Sequence, residues 1–256
     1  MIANYHTHTF RCGHATGEDE EYILQAIEAG FKELGFSDHA PFMFPDGRQS
    51  CHRIKLDMAQ DYIDKLSALR EKYRDKINIH IGFEMEFYPL FFNDMFAYAK
   101  NLGAEYLILG QHYTKSEQAG YAWSLGDGNT YETLKEYVDC VICAIESGKF
   151  SYVAHPDCCK YDISKAEYYD EMKRLCITAK EYDVPLEINL FGLAEGRNYP
   201  NEKFWEIAGE IGCKAIIGSD AHSPSKVYNY DIVKAAENIV KENSIILLET
   251  LKIKQI

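Results

Sequence analysis

The chain has 256 residues, 46% of them apolar, which is enough to bury a full core in one α/β domain without a second. Its 40 acidic against 27 basic side chains give a formal charge of −13, which repels phosphate backbones and anionic lipids and disfavours general nucleic-acid or membrane-surface binding. No apolar run approaches bilayer-crossing length and no secretion-signal pattern stands at the start, so a cytoplasmic location is expected, with the eight cysteines reduced.

The run Met1 to Tyr5 predicts a first strand, Ile2 to His6, which closes on His6-Thr7-His8. Side chains alternate along a strand, so His6 and His8 point to one side and can grip one ion. Cys12 and His14 follow, with nothing that requires Cys12 to bind metal. Thr16-x-x-Asp19 signals a helix that should stop at Gly30. The second strand, Glu33 to Ser37, runs into Asp38-His39-Ala40-Pro41. Phe42 to Leu56 is the longest irregular stretch. Its Pro45-Asp46-Gly47 turn chemistry and Phe-Met-Phe run leave two readings open, a lid or a surface loop packed on the rim.

Asp57-x-x-Gln60 signals the next helix, and a third strand, Ile77 to Glu84, ends in Gly82-Phe83-Glu84. His80 within it reads as a core residue or a support for a ligand. After Gly103 the fourth strand, Tyr106 to Gly110, hands over to Gln111-His112-Tyr113. A helix signalled by Asn129-x-x-Glu132 carries Leu134, Val138, Val141 and Ile145 at helical spacing. Cys140 and Cys143 lie in it and read as core rather than as a zinc or redox pair, because no second C-x-x-C completes a tetrahedral set.

Past Gly148 a fifth strand, Tyr152 to His155, meets His155-Pro156-Asp157, and the adjacent Cys158-Cys159 reads as packing or pocket wall. Ser164-x-x-Glu167 opens another helix. The sixth strand, Pro185 to Asn189, leads into a loop, Phe191 to Pro200, that contains Glu195, Arg197 and Tyr199. Beyond Gly212 the seventh strand, Ala215 to Ser219, ends in Asp220-Ala221-His222, repeating the spacing of the first pair. The tail, Ser244 to Ile256, packs either as an edge strand or as a helix.

Strands that alternate with helices imply βα units and a parallel sheet in one domain spanning 1–256. His6, His8, His14, His39, Glu84, His112, His155, Asp220 and His222 nearly all stand just after a predicted strand. In a parallel α/β barrel such positions converge at one end. Imidazole with carboxylate suits zinc, iron or manganese, and a shared carboxylate lets two cations sit close together. No serine or cysteine nucleophile motif competes with a metal site.

The ordered set H-x-H, H, D-H, G-x-E, H, H-P, D-x-H resembles the PHP (polymerase and histidinol phosphatase) family from His6 to His222, with no ligand position substituted. The resemblance implies a distorted seven-stranded (β/α) barrel, TIM-barrel-like, forming a single metallophosphatase domain with two or three divalent transition metals. It implies one metal on His6, His8, Glu84 and Asp220, with Glu84 bridging to a second on His112 and His155, and a third on His14, His39 and His222. Glu84, Asp220 and Arg197 are then the catalytic residues, around a metal-bridging hydroxide that attacks phosphorus. For the phosphate substrate so implied, two or three cations would neutralise its oxygens and lower the pKa of a bound water toward roughly 7. Oxygens left free of metal call for cationic donors, with Arg197, whose guanidinium matches phosphate geometry, the first choice and Lys160 the second. Glu86, Asp38 and Phe42 are candidates for the organic part of the substrate.

Within the family, Ser-Asp-His-Ala-Pro, Gly-Gln-His-Tyr, His-Pro-Asp, and Glu187-Ile188-Asn189 followed by Gly192 and Tyr199-Pro200 resemble the stand-alone histidinol-phosphate phosphatases. This implies hydrolysis of L-histidinol phosphate to L-histidinol and phosphate, a step of histidine biosynthesis, with Glu86, Asp38 and Phe42 near the substrate's ammonium and imidazole. A family phosphoesterase acting on other small phosphomonoesters or nucleotide ends is the alternative. A metal-binding module without turnover is a third reading, against which the intact ligand set stands. No oligomeric state follows.

Overall fold

A computed structural model describes residues 1–44, 46–114 and 123–256. The predicted turn at Pro45 falls partly outside the described residues. Four parallel strands lie side by side in chain order: β1 (Ala3–Asn4), β2 (Glu33–His39), β3 (Asn78–Met85) and β4 (Tyr106–Leu109). A second parallel sheet holds β5 (Leu186–Asn189), β6 (Lys214–Gly218) and β7 (Ile246–Leu247). Among the described residues, helices α1 (Asp19–Glu28), α2 (Ala59–Tyr73), α3 (Phe92–Leu102), α4 (Tyr131–Glu146), α5 (Ala166–Glu181), α6 (Leu190–Ala194), α7 (Glu202–Ile211) and α8 (Tyr230–Glu242) fall between the strands. None is long and apolar enough to cross a membrane.

Single parallel bridges connect the two sheets. Val153 bridges both Leu109 and Leu186, and Thr7 after β1 bridges Ala221 after β6. The expected fifth strand, Tyr152 to His155, is thus reduced to one bridging residue. Its backbone bonds are present, with Ala154 N donating to Leu109 O at 2.8 Å and Glu187 N to Val153 O at 2.9 Å. His155, however, adopts φ 32°, which turns the chain out of the extended conformation before a longer ladder can form. The tail resolves as a strand, since Ile246 and Leu247 pair with Lys214 and Ala215.

Alternation along the strands separates two apolar regions. Ile79, Ile81, Phe83 and Met85 of β3 pack into the main core, which places Gly82 and Glu84 on the other face. Each such fully buried Ile or Phe side chain contributes roughly 1.5–3 kcal/mol. A smaller cluster containing Tyr5, Tyr106, Ile108, Tyr152, Ile216 and Leu251 lies within the curl of the strands. Tyr106 fills this interior because Gly35 and Gly82 face it: a Cβ on either would overlap the Tyr106 ring or hydroxyl. The hydroxyl donates to Tyr5 O at 2.9 Å and Phe36 O at 3.2 Å, so its burial leaves no polar group unpaired.

The helix stops follow the sequence reading, with Gly30, Gly103, Gly148 and Gly212 all at positive φ. The starts differ. Glu18, not Thr16, forms a reciprocal capping box with Glu21 on α1. Thr130, one residue past Asn129, caps α4, while α2 and α5 have no side-chain cap from Asp57 or Ser164. Within α4, Cys143 is exposed rather than core, and Cys140 Sγ donates to Thr114 O at 2.7 Å. None of the eight cysteines is in a disulfide. In the loop before α2, Phe42 and Phe44 are buried and stacked 5.4 Å apart, so its aromatics pack inward.

Candidate metal centre

Glu84, near the end of β3, is the hub of the site. Its Oε1 faces His155 Nε2 at 2.9 Å and His112 Nε2 at 3.6 Å. Its Oε2 faces His39 Nδ1 at 2.9 Å and both His6 Nε2 and His8 Nε2 at 3.6 Å. Register explains part of this, since His39 of β2 is the pairing partner of Glu84 and the two side chains emerge side by side. Space explains the rest. Gly110, just past β4, has no side chain where a Cβ would collide with the Glu84 carboxylate, and Gly218 makes the same allowance for Glu187. Asp220 completes the centre, with Oδ1 2.9 Å from His8 Nε2 and 3.5 Å from His6 Nε2.

Three further carboxylates orient the histidines from behind. Glu187 Oε1 is 2.8 Å from His6 Nδ1, Asp38 Oδ1 is 3.2 Å from His8 Nδ1, and Glu86 Oε1 is 3.0 Å from His112 Nδ1. Backbone carbonyls do the same elsewhere, Cys12 O for His14 Nδ1 at 3.1 Å and Asp220 O for His222 Nδ1 at 2.9 Å. Holding Nδ1 as the donor leaves Nε2 of these five rings as the free lone pair that a metal needs. His39 and His155 differ. They turn Nδ1 and Nε2 respectively toward Glu84.

Donor atoms of His6, His8 and Glu84 lie within 4.8 Å of one another, as do those of His6, His155 and Asp220, of His39, Glu84 and His112, and of His8, His39 and His222. A fifth such group, His8, Cys12 and Asp38, brings the Cys12 thiol to the edge of the cluster. His14 joins through its ring, with centroids 4.8 Å from His222 and 5.2 Å from His39. His6 Nε2, His8 Nε2, Glu84 Oε2 and Asp220 Oδ1 are buried with no partner in hydrogen-bonding geometry, although Asp220 Oδ1 stands 2.9 Å from His8 Nε2 and Glu84 Oε2 2.9 Å from His39 Nδ1. Four such atoms, each costing about 1–3 kcal/mol if left unpaired, are poorly explained by protein contacts and well explained by divalent cations. The donor set therefore fits more than one metal ion.

Charge points the same way. Burial would lower the pKa of His6, but Glu187, Asp220 and Glu84 outweigh it and raise it to about 10. His8 is likewise raised against burial, by Asp220 and Asp38. At His39 and His222 burial prevails, and their pKa values fall to about 4 and about 3. Glu84 and Asp220 stay well below the ordinary carboxylate range despite burial, held there by the surrounding imidazoles. The neighbouring carboxylates thus favour the charged forms of His6 and His8, and a bound metal would take the place of those protons. Two ligand candidates also carry left-handed backbone, His155 at φ 32° and Asp220 at φ 49°, the kind of strain that collects at functional sites.

A cavity of about 560 Å³ opens above the cluster and is lined by His14, His39, Glu84, His112, His155, Asp220 and His222, with His6 and His8 beneath. Arg197 lines it too, its guanidinium 4.6 Å over the Phe191 ring, and among the described residues no carboxylate pairs with it. Glu86 lines it, but as a buried carboxylate that accepts from Arg53 at 2.5 Å, and its pKa, raised by burial but lowered more by Arg53 and His112, falls to about 2.

Three expected substrate contacts lie elsewhere. Asp38 is fully buried behind His8, its other oxygen taken by Thr9 N at 3.0 Å. Phe42 packs on Tyr88 at 5.2 Å with Arg53 over its ring at 5.0 Å. Lys160 is half-exposed and ion-paired with Asp127, away from the cavity wall. The sequence reading assigned no role to Arg53, His52, Tyr113, Trp123, Phe191 or Tyr199, all of which line the cavity, nor to Glu187. For Glu187 a signal existed, because a charge between Leu186 and Ile188 of a strand points inward when both neighbours point into the core.

Residues 4–190 match the family model of the PHP domain. A protein of Deinococcus radiodurans named probable histidinol-phosphatase is 27% identical over 235 residues, covering 88% of each chain. The histidinol-phosphatase of Bacillus subtilis is 24% identical, over 88% of this chain and 96% of its own. Among solved structures, histidinol phosphate phosphatase of Lactococcus lactis, complexed with zinc, L-histidinol and phosphate, superposes with a TM-score of 0.75 at 17% identity, covering 98% of this chain and 96% of that one.

Proposed function

We propose, from the premise that this chain belongs to the PHP domain family, that it hydrolyses L-histidinol phosphate to L-histidinol and phosphate. The observation that carries the reading is Glu84, buried at the floor of an open cavity with each carboxylate oxygen facing a different subset of histidines. The relatives supply the substrate: two bear histidinol-phosphatase names over nearly their full length, and a protein of similar fold was solved with histidinol and phosphate. The role in histidine biosynthesis and a cytoplasmic location go with that substrate.

The fold reading that goes with this is a distorted seven-stranded (β/α) barrel formed by residues 1–256 as one domain. Val153 takes the place of the fifth strand, and the Thr7–Ala221 bridge draws the first strand toward the sixth.

Two or three zinc, iron or manganese ions would be held by His6, His8, His39, Glu84, His112, His155, Asp220 and His222, with His14 beside His39 and His222. When bound they supply Lewis acidity that neutralises phosphate oxygens and acidifies water near neutral pH. The chain's own residues do the rest. Glu187, Asp38 and Glu86 fix the ring orientation of His6, His8 and His112. Arg197, on the cavity wall without a carboxylate partner among the described residues, presents paired N–H donors that match a phosphate's oxygens. Phe191 beneath it limits where the guanidinium can go.

Steady-state kinetics of the metal-loaded protein on histidinol phosphate beside a panel of other small phosphomonoesters test the reading. The highest kcat/KM is expected for histidinol phosphate. Equal rates across the panel would replace it with a general phosphomonoesterase, and no phosphate release despite bound metal would leave only a metal-binding module.

A further inference from the structure

The cavity presents more aromatic surface than metal chemistry requires. Beside His112, residue Trp123 runs antiparallel to Tyr113 in a single bridge, and both line the cavity. The segment is firmly tied. Ser124 N donates to His112 O at 2.9 Å and Ser124 Oγ to the same oxygen at 2.7 Å. Asn129 Nδ2 and Lys160 N converge on Ser124 O at 2.6 and 2.8 Å. The backbone of Trp123 is therefore held in place relative to His112, yet its side chain is 50% exposed, whereas Trp205 is wholly buried. An indole fixed in a cavity wall with an open face is apolar area suited to a flat partner.

The same cavity is lined by the Glu86 carboxylate. Glu86 Oε2 is buried and has no hydrogen-bond partner, while Oε1 of the same carboxylate serves Arg53 and His112. An aromatic face with a spare carboxylate oxygen in one cavity complements a planar group that carries positive charge.

We infer that Trp123, with Tyr113, is the specificity-determining wall for the alcohol half of the substrate, receiving a planar leaving group whose positive charge the Glu86 carboxylate complements. This rests on the phosphatase reading above. It adds the part of the site that distinguishes one phosphomonoester from another.

Because Trp205 is buried, the exposed indole fluorescence of the chain comes from Trp123. L-histidinol alone, added to metal-loaded protein without turnover, should quench it saturably, and Trp123→Phe should abolish the signal. In kinetics, Trp123→Ala should lower the preference for histidinol phosphate over glycerol phosphate by about tenfold, mostly through KM, and Trp123→Phe should restore most of it. Metal content confirms that each variant folds. No quenching by histidinol, or an equal loss on both esters, overturns the inference. Should wild-type protein fail to hydrolyse histidinol phosphate at all, the functional reading falls, and the fluorescence titration still judges the wall independently. If the alanine variant does not fold, that titration and the phenylalanine variant decide.

Discussion

Gly110 and Glu84 occupy adjoining space so closely that a methyl group on Gly110 would overlap the Glu84 carboxylate. The glycine is thus part of the metal centre without offering it a ligand. Gly110→Ala should push Glu84 out of its position between the two groups of histidines, at the roughly 1–3 kcal/mol cost of overpacking. Metal content and kcat/KM should both fall, the latter by about tenfold or more. Elemental analysis and kinetics on the purified variant check this, and unchanged metal stoichiometry would mean that the neighbouring chain yields instead.

Chelation followed by reconstitution tests the centre as a whole. Protein from metal-supplemented growth should carry between two and three equivalents, as the overlapping donor groups around Glu84 suggest, and should lose and regain hydrolysis with the metal. Glu84→Ala removes an anion that faces both groups of histidines and should lower metal content and turnover together. Retained activity with less than one equivalent would rule out a polynuclear site.

Much of this centre was visible in the sequence because its chemistry depends on residue type and short spacing. His6-Thr7-His8 and Asp220-Ala221-His222 declare themselves where strands give way to loops. Arg53 does not, since it comes from an irregular loop and reaches Glu86 only through the packing of Phe42 and its neighbours. Asp38 was misplaced for a related reason. Its neighbour His39 is a metal-ligand candidate, and which of two adjacent side chains faces the cavity depends on the pairing of β2 with β3, which no spacing encodes. The short run at Tyr152 was read as a strand from its apolar content, but the turn at His155 belongs to the site. The helix-start signals failed most often, because Ser, Thr, Asp or Asn three residues before an acidic residue or a glutamine is common and the choice among them is made by tertiary packing.

Glu187 offers a test of orientation apart from ligation. Glu187→Gln preserves size but removes the charge behind His6 Nδ1, and it also perturbs the bonds from His155 N at 3.1 Å and Asn189 Nδ2 at 2.8 Å. Losing such a supporting carboxylate typically weakens metal binding about 10–100-fold. A competition titration against a chelator of known affinity should show that range, with the fold intact by circular dichroism. An unchanged affinity would mean that His6 is held by its strand alone.

Arg197 separates phosphate recognition from metal binding. It lines the cavity over Phe191 and pairs with no carboxylate among the described residues, so its guanidinium can turn to an incoming anion without breaking an ion pair. Arg197→Met keeps much of the apolar stem and removes a charge-assisted hydrogen bond of about 1.5–3 kcal/mol, so kcat/KM should fall roughly ten- to several-hundredfold. Metal content should stay normal, because among the described residues no proposed ligand forms a hydrogen bond or ion pair with the Arg197 side chain. Lysine at the same position should rescue only part of the loss, since a point charge lacks the planar pair of donors. Wild-type kinetics for both variants would make Arg197 an ordinary solvated cation resting on an aromatic ring, and would require the phosphate to find its protein donors elsewhere in the cavity wall.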